Sequence, residues 1–228
     1  PSRYWVVDEA HSAENEARRA FSLTLSAEEI SFLARRLGEV DSTRNVFVRA
    51  ERNVTAPGSD GDGTLFFALT AKAKKAGSGF AEAAAAFNER LRDLLFFDDS
   101  PRAKGYDTVE VWVNDQVRAS QRFAGLAEAG AELVERAEKL TTACQELVGY
   151  LEDVEGAQVI QREIASAAME LKELANAADV ILRKGGEEYV YAATLSRKPE
   201  RIQDRIEALP YNVGATLAET FYASTFSV

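Results

Sequence analysis

The chain has the length and composition of a globular protein. Its 228 residues are enough for one domain, or for one domain with an added lobe. Hydrophobic residues make up 46% and charged residues 28%, which excludes wholesale disorder, a collagen-like repeat and a disulfide-stapled miniprotein. The net charge of -10 argues against a large basic surface for nucleic acid, so any contact with DNA is confined to a local patch.

Cysteine and histidine are too scarce to build common metal sites within this chain. Cys144 is the single cysteine and His11 the single histidine, which excludes an internal disulfide, a tetrahedral zinc site and a four-cysteine iron–sulfur site. This usage predicts a cytoplasmic protein. Cys144 lies within a helical pattern and is interpreted as a small core residue. No apolar run approaches the roughly 18 residues of a membrane span, so we expect no membrane association.

The N-terminal third predicts a strand followed by two helices. The apolar and aromatic run Arg3–Val7 predicts a buried strand, and a helix is expected from about Ala13. The sequence Ser-Ala-Glu-Glu that starts at Ser26 is a capping box, and the apolar residues after it share one helical face. That helix is expected to end near Gly38.

A β-hairpin is expected next. Apolar and polar residues alternate from Asn45 to Arg52, which predicts a strand, and Leu65–Leu69 is its predicted partner. The glycine-rich segment 56–63 between them predicts a flexible loop. Asp60 and Asp62 within it are too few for a calcium-binding loop.

The remaining pattern predicts long helices. A helix is expected over Phe80–Phe97 and a strand over Thr108–Val113. A long helix over Val117–Leu151, a break near Gly156 and a second helix over Ala157–Leu182 form a predicted helical hairpin.

That hairpin is acidic, because between Asp115 and Leu182 there are 6 Lys and Arg and 13 Asp and Glu. A further strand is expected over Tyr189–Leu195. The predicted fold class is therefore mainly α with several short β-strands (α+β).

The segment from Trp5 to His11 carries the strongest chemical signal. It reads Trp-Val-Val-Asp-Glu-Ala-His, an apolar strand that ends in an acidic pair. It resembles motif II, the DEAH box of superfamily 2 helicases. Taken alone, the four-residue sequence Asp-Glu-Ala-His is equally compatible with a strand followed by a solvated acidic turn.

A second resemblance lies at the other end of the sequence. The stretch Ala-Leu-Pro-Tyr-Asn-Val-Gly from Ala208, with the apolar residues up to Val228, is similar to the segment before motif III in DinG/XPD-type helicases. In that family a helical arch domain of roughly two hundred residues is inserted between motifs II and III. The resemblance implies that residues 1–12 end a RecA-like ATPase segment, that 13–207 form a helical arch-type insertion domain and that 208–228 return to the ATPase domain.

The same resemblance implies a set of roles. Asp8 would bind the nucleotide and hold its Mg²⁺, Glu9 would be the catalytic residue that activates water, and His11 would couple the nucleotide to DNA. ATP and Mg²⁺ are cofactors of the full-length parent, whose expected activity is 5′-to-3′ DNA unwinding in DNA repair. Single-stranded DNA and the remaining helicase domains in cis are the implied partners. We expect a piece of a longer protein, in which Val7 and Val228 lie close together.

One departure from the family limits the activity of the chain alone. It contains no Gly-x-x-x-x-Gly-Lys-Ser/Thr phosphate loop, so we expect no ATP hydrolysis by the isolated fragment.

Local clusters supply candidates for DNA contact. Basic side chains would meet phosphates, with a solvated charged face as the other interpretation. Aromatic side chains would stack on bases if exposed, although their apolar neighbours favour core packing. The basic candidates are Lys72, Lys74 and Lys75 with Arg49 and Arg52, and Arg197, Lys198 and Arg201 with Arg205; the aromatic ones are Phe66, Phe67, Phe96, Phe97, Tyr189 and Tyr191.

A different class of function remains open. In this alternative the DEAH sequence is coincidental, and the chain is a non-enzymatic acidic α-helical domain that binds a partner helix or a basic protein. Strands at Arg3–Val7 and 226–228 that complete a self-contained sheet would favour this alternative.

Overall fold

The architecture is mainly helical with one small sheet, which confirms the predicted α+β class. A computed structural model describes residues 13–39, 42–53, 62–98, 107–184, 186–198 and 203–220. Within these ranges, no helix combines the length and the apolar character that crossing a membrane requires. The predicted strand Arg3–Val7 and the segment 226–228 lie outside the described residues.

The first half of the fold is dominated by one helix of 31 residues. A 3₁₀ turn at Asp93–Phe97 follows it directly. In chain order the elements are α1 (Ala13–Ala20), β1 (Leu23–Ser26), α2 (Ala27–Gly38), α3 (Val46–Asn53) and α4 (Asp62–Arg92).

The second half contains the helical hairpin and most of the sheet. A π-helical turn at Asp179–Lys184 follows the second arm of the hairpin. The elements are β2 (Thr108–Trp112), α5 (Asp115–Arg118), α6 (Gln121–Leu151), α7 (Gln158–Ala178), β3 (Tyr189–Ser196), β4 (Arg205–Pro210) and α8 (Val213–Thr220).

The core lies where α4, α6 and α7 pack together. Large apolar side chains of α4 and α6, such as Phe80, Phe87, Leu133 and Leu140, are fully buried there. The chain turns between α6 and α7 at Gly156, whose φ of 80° favours glycine. The hairpin predicted from the sequence is therefore confirmed, although Ser120 caps α6 and separates it from the short α5.

The sheet is antiparallel throughout, in the order β1-β4-β3-β2. Leu23 of β1 is opposite Ala208 of β4, and Tyr191 of β3 is opposite the same alanine on the other side. Strands β2 and β3 were predicted and are confirmed, whereas β1 and β4 were not predicted. The predicted domain boundary between residues 207 and 208 falls inside β4.

The strand predicted over Asn45–Arg52 is wrong, because these residues form α3. The side chain of the buried Asn45 accepts hydrogen bonds from the backbone N–H groups of Phe47 (2.9 Å) and Val48 (3.2 Å), which stabilises the helix start. Val46, Phe47 and Ala50 are buried, a helical spacing. Over so few residues the alternation fits both the two-residue period of a strand and the 3.6-residue period of a helix, and the Asn45 cap favours the helix.

The partner strand predicted over Leu65–Leu69 is also wrong, because α4 begins at Asp62 and continues to Arg92. Phe66, Thr70 and Ala73 are buried at intervals of three and four, so this segment extends the helix that was expected only from Phe80. The helix start at Ser26 is confirmed: its hydroxyl accepts a hydrogen bond from the N–H of Glu29 at 3.4 Å, and α2 ends at Gly38.

Two glycines allow α2 and α4 to cross in contact. A Cβ atom on Gly38 would lie 2.6 Å from both the carbonyl oxygen of Gly77 and the Cβ of Ala81. A Cβ atom on Gly77 would overlap the carbonyl oxygen of Leu37. Because these obstacles are largely backbone, a side chain at either position would have to separate the helices.

We predict that Gly77→Ala lowers the free energy of unfolding by about 1–3 kcal/mol, the usual cost of overpacking. Urea denaturation followed by circular dichroism measures this change. Gly149→Ala is the matched control, since nothing lies within 4 Å of its added Cβ on α6. That substitution should stabilise the protein by roughly 0.5–1 kcal/mol through helix propensity. Equal effects of the two substitutions would contradict the close crossing.

Candidate functional site

The residues of the DEAH sequence lie outside the described part of the chain. The roles of Asp8, Glu9 and His11 in binding nucleotide and Mg²⁺ therefore stay predictions, as does the proximity of Val7 and Val228. Within the described residues, no group of three or more His, Cys, Asp or Glu side chains is placed to hold a metal ion.

The two outermost described helices lie side by side. Helix α1 packs against α8, and the guanidinium Nη1 of Arg18 donates to the carbonyl oxygen of Pro210 at 3.4 Å. Helix α1 precedes β1 and helix α8 follows β4. Because these two strands are antiparallel neighbours, the start of β1 lies beside the end of β4. The chain therefore enters and leaves the described fold at neighbouring points.

Contacts between helices pair three members of the first basic cluster, Lys72, Lys74 and Arg49, with carboxylates. Lys72 Nζ lies 2.6 Å from Glu146 Oε2 on α6, and Lys74 Nζ lies 2.8 Å from Glu51 Oε1 on α3. Lys75, on the same helix, is exposed. These ion pairs link α4 to its neighbours, so a phosphate would have to compete with a carboxylate for two of the three lysines.

The second basic cluster is paired in the same way. Arg197 Nη2 lies 2.9 Å from Asp98 Oδ2, and Lys198 Nζ lies 2.7 Å from Asp107 Oδ1. Arg201 lies outside the described residues. The structure thus brings Arg197 and Lys198 together with acidic side chains, and their contact with DNA stays a prediction.

Most of the predicted stacking aromatics are packed rather than exposed. Phe66 and Tyr191 are buried, and Phe97 and Tyr189 are half-buried. The exceptions are Phe67, with 51% of its surface exposed, and Phe96, with 68%. Only these two of the six can offer a free ring face to a base.

Phe96 stands at the mouth of a cleft of about 710 Å³, which we call the Phe96 surface. The guanidinium carbon of Arg122 lies 4.1 Å from its ring centroid, and Phe97 meets it edge to face at 5.4 Å. The residues that line the surface are Arg90, Asp93, Phe96, Phe97, Ser120, Gln121, Arg122, Ala124, Gly125 and Glu128.

This surface is suited to stacking on a base. The Phe96 ring is exposed and has the Arg122 guanidinium over one of its faces, and both aromatic rings and guanidinium planes are groups on which nucleobases stack. Two cationic and two anionic side chains line the cleft, so stacking and not charge would supply the affinity. The sequence indicated Phe96 but not Arg122, because only the folding of α6 against the 3₁₀ turn brings them together.

Comparison with known proteins adds no assignment. No protein-family model matches the chain, and no curated protein is similar to it at a significant level.

The one cysteine behaves as the sequence predicted. Cys144 is fully buried on α6. Burial raises the pKa of its thiol to about 12, although the charge of Arg36 acts in the opposite direction. Because the thiolate is the reactive species, the folded protein keeps this side chain inert.

We predict that iodoacetamide at pH 8 labels Cys144 at least about 100-fold more slowly in the folded protein than in urea, since an ordinary thiol has a pKa of about 8.5. Mass spectrometry after timed quenching measures both rates. Raising the pH towards 12 should increase the rate in the folded protein, and circular dichroism checks that the fold persists, because unfolding would also increase the rate. Equal rates at pH 8 would contradict the buried position.

Proposed function

We propose that this chain is the arch-domain segment of a DinG/XPD-like ATP-dependent DNA helicase that moves 5′ to 3′ on single-stranded DNA. The contact of α1 with α8 is the observation that supports it. An insertion between two neighbouring strands of a parental sheet must begin and end at neighbouring points. The adjacent helices meet this requirement for an insertion between motifs II and III.

The nucleotide site of this proposal is shared with the rest of the parent. Asp8 holds the Mg²⁺ of ATP, Glu9 activates the attacking water, and His11 connects the nucleotide to DNA contacts. The phosphate loop comes from the remaining helicase domains in cis, so the isolated segment does not hydrolyse ATP. The full-length parent acts as one ATPase in the cytoplasm.

The DNA contact of this proposal is the Phe96 surface. The close packing of helices α4, α6 and α7 allows them to act as one wall beside the single-stranded DNA. Phe96 then stacks on a base, and Arg122 keeps its ring oriented. This arrangement suits an acidic domain, because stacking does not depend on attracting phosphates.

We predict that Glu9→Gln lowers the DNA-stimulated ATPase rate of the full-length parent by about 10²–10⁴-fold, the usual contribution of a general base. Release of inorganic phosphate with and without single-stranded DNA measures it. Glu155→Gln, an exposed position in the turn between α6 and α7, is the matched control and should leave the rate unchanged. A parent without DNA-stimulated ATPase activity, or a fully active Glu9→Gln variant, would refute the proposal.

We predict that Phe96→Ala weakens binding of the 228-residue chain to a fluorescent 15-nucleotide oligo(dT) by roughly 5–100-fold, since one stacked base contributes about 1–3 kcal/mol. Fluorescence anisotropy at one fixed salt concentration measures the dissociation constant.

Phe67→Ala is the control, because it removes an exposed phenyl ring from the first part of α4, whereas Phe96 lies on the 3₁₀ turn after that helix. Thermal unfolding confirms that both variants remain folded. Equal loss in both variants, or no loss in Phe96→Ala, would remove the Phe96 surface from the proposal while leaving the ATPase test intact.

A further inference from the structure

A second concave surface is lined by residues of β1, α2 and α7. Its volume is about 960 Å³, and we call it the β1 groove. It is lined by Ala20, Ser22, Leu23, Thr24, Leu25, Ser26, Glu28, Glu29, Ile30, Phe32, Leu33, Arg35, Glu170, Glu173, Leu174, Asn176 and Ala177.

One wall of the β1 groove is a strand edge. In the described part of the sheet, β1 is an outer strand that pairs only with β4. Every residue from Ser22 to Ser26 lines the groove, so the groove follows the edge of β1 that has no strand beside it. Such an edge offers backbone N–H and C=O groups with which an extended peptide can pair.

The groove also contains an apolar anchor point. Phe32 of α2 leaves 54% of its surface exposed, and Leu23, which also lines the groove, is half-buried. Leu174 and Ala177 of α7 add buried apolar side chains to the lining. An apolar side chain from a peptide would remove this ring from water, which favours binding.

The rim of the groove is acidic. Glu28 and Glu29 of α2 and Glu173 of α7 are all exposed. A fourth carboxylate, Glu170, is held by Arg36 at 3.0 Å. Among the described residues, Arg35 is the single cationic side chain that lines the groove. The surface potential therefore selects a basic ligand and repels an acidic one.

We propose that the β1 groove binds a basic, extended peptide segment of a partner protein, which adds as a strand beside β1. Apolar side chains on one face of the peptide contact Phe32, and lysine or arginine side chains on the other face meet Glu28, Glu29 and Glu173. This inference is independent of the helicase proposal, because it uses neither the nucleotide site nor the Phe96 surface.

The test uses the 228-residue chain and a fluorescein-labelled decapeptide of alternating lysine and valine. Fluorescence anisotropy should show binding that weakens about tenfold in Phe32→Ala and in Glu173→Lys. Glu155→Lys makes the same change of charge away from the groove and should bind as the original chain does. If the Glu155→Lys variant loses as much affinity as Glu173→Lys, the attraction is unspecific and the proposal is overturned.

A second peptide isolates the strand pairing. A decapeptide of alternating lysine and proline has the same charge but no alternate N–H donors, so it should bind at least tenfold more weakly. Hydrogen exchange at Thr24 and Ser26, whose N–H groups alternate with those that pair with β4, should slow with the lysine–valine peptide only. Equal binding of the two peptides, no binding of either, or a dimer of the chain that occupies the groove in sedimentation would overturn the proposal.

Discussion

The buried carboxylate of Asp204 joins the sheet to the helices. Its Oδ1 accepts a hydrogen bond from the N–H of Ser196 at 2.6 Å, and its Oδ2 accepts one from Arg92 Nη1 at 3.0 Å. Arg92 also donates to the carbonyl oxygen of Ser196 at 3.1 Å, and the backbone oxygen of Asp204 accepts from the N–H of Ala27 at 2.9 Å. A buried carboxylate requires such partners, so four segments are fixed at one point.

Both candidate surfaces depend on this point. Ala27 opens α2, whose first turns line the β1 groove, and Asp204 directly precedes β4, which carries β1 on its edge. Arg92 ends α4 immediately before the 3₁₀ turn that holds Phe96. The network therefore positions an acidic groove along a strand edge and an aromatic cleft of balanced charge on the same framework.

The sequence predicts the elements that are marked by a cap or by a regular spacing of apolar residues within one element. The cap at Ser26, the hairpin of α6 and α7 and strand β3 all follow from residue spacing over one element, and the fold class follows from them. The errors occur where a short pattern fits two periods, as in α3 and the start of α4. Strand β1 is only four residues long, and β4 lies between two partner strands. Both segments are strands because of their hydrogen bonds to neighbouring strands, which their own residue patterns do not indicate.

The candidate site was less predictable for the same reason, because charge in a sequence does not reveal its partners. Lys72 and Glu146 are 74 positions apart, and Arg197 and Asp98 are 99 apart, yet each pair forms an ion pair in the fold. Clusters that suggest phosphate contacts therefore become links between elements. The surface that we propose for a nucleic acid instead combines stacking groups with balanced charge. Binding through it would release few counterions, so its affinity would depend only weakly on salt, unlike that of a basic DNA-binding face.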